Sequence, residues 1–224
     1  MFSCYQRIDD DEPIIAKRQL RDDDWLELLR LAYTDREKAF KRYCDYYLST
    51  NGQTYWSDTN QLSPYLPNYA QKIRNLIGGD ESSLIITEIY VPRADLPQFL
   101  AHAAELLRSN RTIVIYGTVR LIEKDNESFL AWAKQPYACI IFNLLTLHTP
   151  PGIEASARAF RGLIDLAIAR DGSYYLTYHK FAKPEQIMAC YPQFKEFLAL
   201  KRKYDPAECF QSDWYRYYRK LFAS

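Results

Sequence analysis

Two long apolar stretches, separated by a short extended segment that leaves no gap long enough for a crossover helix, constrain this chain most. Thr112–Ile122 (TIVIYGTVRLI) and Tyr137–Leu147 (YACIIFNLLTL) both read as strands, and Phe129–Ala133 reads as a short third one between them. Parallel neighbours require a crossover of a dozen or more residues, usually a helix, so these strands must meander. Around the meander, Ser83–Val91 (SLIITEIYV) is a further strand, followed by a helix over 95–107 whose Leu96, Phe99, Leu100, Ala103, Leu106 and Leu107 form one apolar stripe. Thr149-Pro150-Pro151-Gly152 turns into a second helix over about 153–169, and Tyr174–Tyr178 closes the series as a strand. The order predicts an α+β domain: an antiparallel sheet covered by helices on one face, a ferredoxin-like cap. Leu100, Leu107, Leu163, Ile164 and Ile168 are the residues expected to be buried between sheet and helices.

The composition changes at Gly78-Gly79-Asp80, which divides the sequence into 1–78 and 79–224. The first part is a helical and aromatic-loop lead-in. Asp22–Asp24 suit a helix N-terminus before Trp25, and a second helix is expected over 35–48. The second part ends in helices, one beginning near Pro192 and stopping at Asp205-Pro206, since proline disfavours helix in the residue before it.

Composition excludes several classes of function. A formal charge of +1 gives no field for nucleic acid. No apolar run approaches the roughly 18 residues of a membrane-spanning helix, and the first residues do not read as a signal peptide. Five scattered cysteines, with no CxxC, argue against a disulfide framework or a zinc site. A cytoplasmic protein with reduced thiols is the expectation.

The C-terminal third has a recognisable order: Tyr191-Pro192, a helix with Phe194 and Phe197, basic Lys201-Arg202-Lys203, then Asp205-Pro206 and Phe210. It resembles the C-terminus of FAD-linked oxidases of the vanillyl-alcohol oxidase type, with the aldonolactone and sugar-alcohol oxidases as the most similar branch. Glu88-Ile89-Tyr90-Val91-Pro92-Arg93 with Leu96-Pro97 resembles the first strand and helix of that family's substrate domain. Val119-Arg120-Leu121-Ile122, then Asp125 and Phe129-Leu130, resembles its arginine-bearing strand, and Cys139–Asn143 the next one. The likeness covers roughly 84–215.

The resemblance implies oxidation of a C–OH, or related C–H, substrate by hydride transfer to flavin. It places Arg120 and Asn143 toward the substrate. Counted back from Tyr191-Pro192 without gaps, the family's histidine and lysine positions fall on Tyr175 and Tyr178. A two-residue shift puts the lysine on Lys180, beside His179. His179 is the obvious base by its intrinsic pKa, and Lys180 could steady charge on reduced flavin. His102 and His148 read as structural.

The family holds FAD mainly through a separate glycine-rich domain, and the seven glycines here form no phosphate-cradling loop. The expectation is therefore a substrate or cap portion, inactive alone, which meets FAD through a partner domain or subunit. An apolar, aromatic surface over the Tyr55–Tyr69 loop and Trp214, Tyr215, Tyr217 and Tyr218 would serve that partner, or a homodimer. The alternative is a free-standing α+β binding or interaction module that shares the scaffold.

Overall fold

The structure, a computed structural model, describes residues 4–16, 18–56, 69–76 and 78–223. The chain divides into two compact units, Met1–Glu81 and Ser82–Ser224. In the first, α1 (Asp22–Thr34) and α2 (Arg36–Ser49) pack together, and α3 (Tyr69–Leu76) lies beside α1. Three aspartates in the first turn of α1 answer the positive end of its dipole. The Trp25 and Tyr43 rings and an Asp24–Arg42 ion pair of 2.9 Å join the first two helices. Most of the Tyr55–Tyr69 loop, residues 57–68, lies outside the described residues.

The second unit runs β1 (Ser82–Pro92), α4 (Leu96–Ser109), β2 (Val114–Ile122), β3 (Tyr137–Leu147), α5 (Pro150–Ile168), β4 (Ser173–Tyr174), α6 (Pro184–Cys190), α7 (Phe194–Tyr204) and α8 (Asp213–Leu221). Its four strands lie in the order β2-β3-β1-β4, every neighbouring pair antiparallel. That is the split βαβ arrangement of a ferredoxin-like α+β fold. The central strand β3 is buried almost end to end, because both its faces are covered. Ala138, Ile140, Phe142 and Leu144 meet the helices, while Tyr137, Cys139 and Ile141 belong to a smaller cluster on the other face. β1 alternates in the same way: Ile89 and Val91 point to the helices, and Tyr90 to the other side.

Helices α4 and α5 pack side by side on one face. Phe99, Ala103 and Leu107 of α4 are spaced by four and meet Phe160, Leu163, Ile164 and Ala167 of α5 in one core. Gly162 lets the helices approach closely, since a Cβ there would sit 2.8 Å from Leu106 Cδ2. Ile168 is half-buried, but Leu100 is 37% exposed, one position off the buried stripe.

Three other sequence expectations are corrected. Residues 129–133 form no strand; they belong to a loop folded over the smaller cluster, with Ala133 fully buried there. The Asp125 carboxylate starts that loop by accepting the Glu127 and Ser128 amides at 3.0 and 2.9 Å. β4 ends at Tyr174 instead of Tyr178. There the carbonyls turn to side chains: Tyr191 Oη donates to Tyr174 O, and Trp214 Nε1 to Leu176 O at 3.0 Å. The C-terminal aromatics are no open patch either. Tyr215 and Tyr218 are buried, and Trp214 and Tyr217 pack half-buried against the same core.

Candidate functional site

A cleft of about 660 Å³ opens on the sheet face opposite the helices. β1 supplies its floor through Glu88 and Tyr90. Ser128, Leu130 and Trp132 of the covering loop form one wall, and Tyr175 to Tyr178 form the other. Phe197 of α7 and Trp214 of α8 complete it. The volume lies within the range of small-molecule sites, and the lining is largely aromatic. Tyr90 meets Trp132 edge-on at 5.6 Å, and Tyr175 meets Tyr178 at 5.2 Å.

Glu88 is the charged centre of this cleft. Its carboxylate accepts from Tyr90 Oη at 2.8 Å, Tyr178 Oη at 3.2 Å and Cys139 Sγ at 3.6 Å. Among the described residues no ammonium or guanidinium lies within ion-pair distance of it. Burial, and then the hydrogen bond and charge of Glu88, push the Tyr90 phenol well above the usual range. Tyr178 is raised by burial and by the same carboxylate. Burial and the Glu88 charge carry the Cys139 thiol up to about 12. All three groups keep their protons at neutral pH and act as donors, not bases.

Arg120 stands on the same sheet face, opposite Cys139, which is itself opposite Tyr90. It is exposed, and its charge partly offsets the upward push on Cys139 and Tyr178. Asn143 shares that face, in register with Ile86 and Tyr116, but lies outside the cleft lining. The structure thus sets Arg120 on the same sheet face as the cleft that Tyr175 and Tyr178 line, the two tyrosines being the positions reached by counting without gaps.

His179 and Lys180 go elsewhere. Beyond Tyr174 the chain no longer alternates as a strand, and His179 returns to the helix side. It is 6% exposed, stacks on Phe160 at 4.3 Å, and bonds Thr87 Oγ1 through Nε2 at 3.1 Å. Lys180 is exposed, with its ammonium 5.6 Å from the Tyr217 ring centre, outside the lining. The two residues therefore lie outside the cleft, and Arg120, though on the same sheet face as Glu88 and Tyr90, is not among its lining residues either. Glu88 and Tyr90 do line it, and the alternation of Ser83–Val91 already set them on one face.

The buried His179 has a measurable consequence. Desolvation lowers its pKa from 6.5 to about 4. Below 6.5 the unfolded chain takes up a proton that the folded chain refuses until about 4. Stability is thus full above the unfolded value and falls as the pH drops through this window, by about 3 kcal/mol in all. His179→Gln should flatten that acid limb in urea unfolding measured between neutral and acid pH. An unchanged limb would show that another group titrates there.

The residues also bear on what could be held. Gly152, Gly162 and Gly172 are each closed in, by Leu147, Leu106 and Tyr90 respectively, so none leaves space for a phosphate. Gly78 and Gly79 face open space with positive φ and close the end of α3, where Gly79 N–H bonds Arg74 O. Among the described residues no three His, Cys, Asp or Glu side chains group as metal ligands, and no helix is long and apolar enough to cross a membrane.

Fold and site together define a ferredoxin-like α+β domain with an aromatic, carboxylate-bearing cleft on its open sheet face. No family model and no curated protein matches the chain.

Proposed function

We propose that residues 82–224 form the substrate side of an FAD-dependent oxidoreductase acting on a C–OH bond, with FAD carried by a domain or subunit outside this sequence. The observation that carries the reading is the cleft where Glu88, Tyr90, Tyr175 and Tyr178 converge, with Arg120 two strands away on the same sheet face. The resemblance adds support, because counted without gaps the family's positions facing the flavin ring fall on Tyr175 and Tyr178, which line the cleft, whereas the two-residue shift puts the lysine on Lys180, outside its lining. The cleft suits the reacting end of such a complex. The glycines do not suit a pyrophosphate, which is why the dinucleotide is assigned to a partner.

In this reading bound flavin supplies the hydride acceptor. Glu88 accepts the hydrogen bond of the substrate hydroxyl and takes its proton as the carbon gives up hydride. Tyr90 and Tyr178 hold the carboxylate by donating to it, and the aromatic walls flank it. Arg120 fixes a polar group of the substrate. A second reading, a free-standing binding module, is favoured by the burial of His179 on the helix side, which leaves the cleft without the imidazole base the sequence suggested.

The deciding experiment expresses the chain together with the coding sequence adjoining it in its genome. The oxidoreductase reading expects flavin absorbance to co-purify and to bleach anaerobically with a C–OH substrate. The chain alone should be colourless and show no micromolar FAD binding by calorimetry. A co-purified product without flavin favours the binding module.

A further inference from the structure

We infer that β2 is the seam of a homodimer, pairing antiparallel with β2 of a second copy so that two four-stranded sheets join into one of eight. The inference stands apart from the reading of the cleft, to which β2 contributes no lining residue. β2 is the outer strand of the order β2-β3-β1-β4, so one side of its nine residues has no strand partner among the described residues. Natural edges are usually blunted by proline, lysine or a covering segment. β2 carries neither proline nor lysine; one register shift between Val114 and Tyr116 and the charge of Arg120 interrupt it. Its apolar side chains are also open where a core should cover them. Val119 and Leu121 lie opposite Ile140 and Ala138 of the helix-side core, yet are 42% and 62% exposed. The helix layer stops short of them, since α5 lies over β1, β3 and β4 with α4 at its side. Leu100 of α4, 37% exposed, extends the apolar surface: it flanks the buried Ala103 on the side opposite Leu106, which faces Gly162 of α5.

The occupant is a second copy because the strand complements itself. A two-fold axis at Thr118 sets Val119 opposite Gly117, Leu121 opposite Ile115 and Arg120 opposite Tyr116. On the helix side, Val119 of each copy covers the other's Gly117, where an added Cβ would meet only Ile141 O, at 3.4 Å. Aliphatic cross-strand neighbours of this kind are what stabilise a ladder. The two Arg120 residues stand four positions apart, about 14 Å, which is farther than exposed charges repel strongly in physiological salt. Size agrees as well. A nine-residue edge is about 30 Å long, and one sheet layer with one helix layer is about 20 Å deep. The seam therefore covers about 600 Å² per copy, about 1,200 Å² in all, at the lower limit of stable interfaces.

Sedimentation equilibrium of the full chain at about 1–100 μM, the range suited to an interface of this size, tests the inference. The expected species has twice the 26.4 kDa of one chain. Leu121→Lys should raise the dissociation constant roughly 100-fold or more, because symmetry sets two ammonium groups against aliphatic neighbours in one seam. Leu121 is mostly exposed, so the variant keeps its fold, which its urea midpoint checks. Tyr204→Lys, at a still more exposed position on α7, should leave the dimer intact. Thr118→Cys brings two thiols together on the axis, with Cα atoms about 5 Å apart, within disulfide reach. Mild oxidation should link that variant into a reducible dimer well beyond any formed by the parent, whose Cys4 and Cys209 are exposed. A monomer throughout the range, a dimer untouched by Leu121→Lys, or Thr118→Cys chains that cross-link no more than the parent would overturn the inference. So would a complex in which a different protein takes this edge in place of the second copy.

Discussion

Under the proposed oxidoreductase reading, Glu88→Gln should lower kcat of the protein assembled with its flavin-carrying partner by roughly 10²–10⁴-fold, the range for removal of a positioned general base. The amide keeps the size of the side chain and one oxygen acceptor for the two phenols. It cannot take a proton from a substrate hydroxyl. Folding should change little, since Glu88 is half-buried and the cleft is open around it. Two readouts separate chemistry from structure. The urea midpoint should stay close to that of the parent, and the flavin absorbance should be retained while its anaerobic bleaching slows. Tyr178→Phe removes one donor to the carboxylate and should have a smaller effect in the same assay. A Glu88→Gln protein that turns over at the parental rate would remove Glu88 from the chemistry.

Gly172→Ala should be the most damaging small substitution in the second unit. A Cβ there would lie 2.2 Å from the Tyr90 carbonyl oxygen and 2.8 Å from that of Ala167. Both are backbone atoms, and neither can retreat cheaply. Ala167 O already accepts the Gly172 amide at 2.9 Å, and Tyr90 lies in register with Ser173 across the β1–β4 ladder. Relief would have to break that ladder or the end of α5. A loss of about 3 kcal/mol or more is expected, a large share of the roughly 5–15 kcal/mol that holds a domain folded. Gly117→Ala is the control: its Cβ would meet only Ile141 O, at 3.4 Å, and should cost about 1 kcal/mol or less. Denaturant midpoints of the two variants make the comparison, and equal midpoints would refute it.

Much of the sheet was readable because its signals are local. Ser83–Val91 alternates, Tyr137–Leu147 is apolar but for Asn143 and Thr146, and α4 and α5 keep helical spacing, so topology followed from the order of elements. The errors lie where distant partners decide the backbone. Tyr175–Tyr178 has strand-like composition, yet the carbonyls flanking it answer to Tyr191 and Trp214, which no local pattern reveals. Phe129–Ala133 looks extended until Asp125 captures two amides and curls the loop. The site was half legible. Arg120, Tyr175 and Tyr178 are legible by position, whereas the intrinsic chemistry of imidazole and ammonium points to His179 and Lys180, which lie outside the cleft lining. Glu88 and Tyr90 were missed as a pair although they sit two residues apart on one strand. A half-buried carboxylate with two phenol donors is a tertiary feature, since Tyr178 reaches it across 90 residues of sequence.

The use of Tyr191 and Trp214 to hold the strand end also orders events in time. Synthesis runs from the N-terminus, so β1, β3 and both covering helices leave the ribosome before either aromatic residue does. Until Trp214 emerges, Leu176 O lacks its indole donor and one cleft wall is not pinned. The sheet can condense on the ribosome, but the face bearing the cleft is completed only as α8 docks. Ribosome-stalled chains ending before α8 would then hold a folded core with an unfinished cleft, so the cleft forms later than the sheet that floors it.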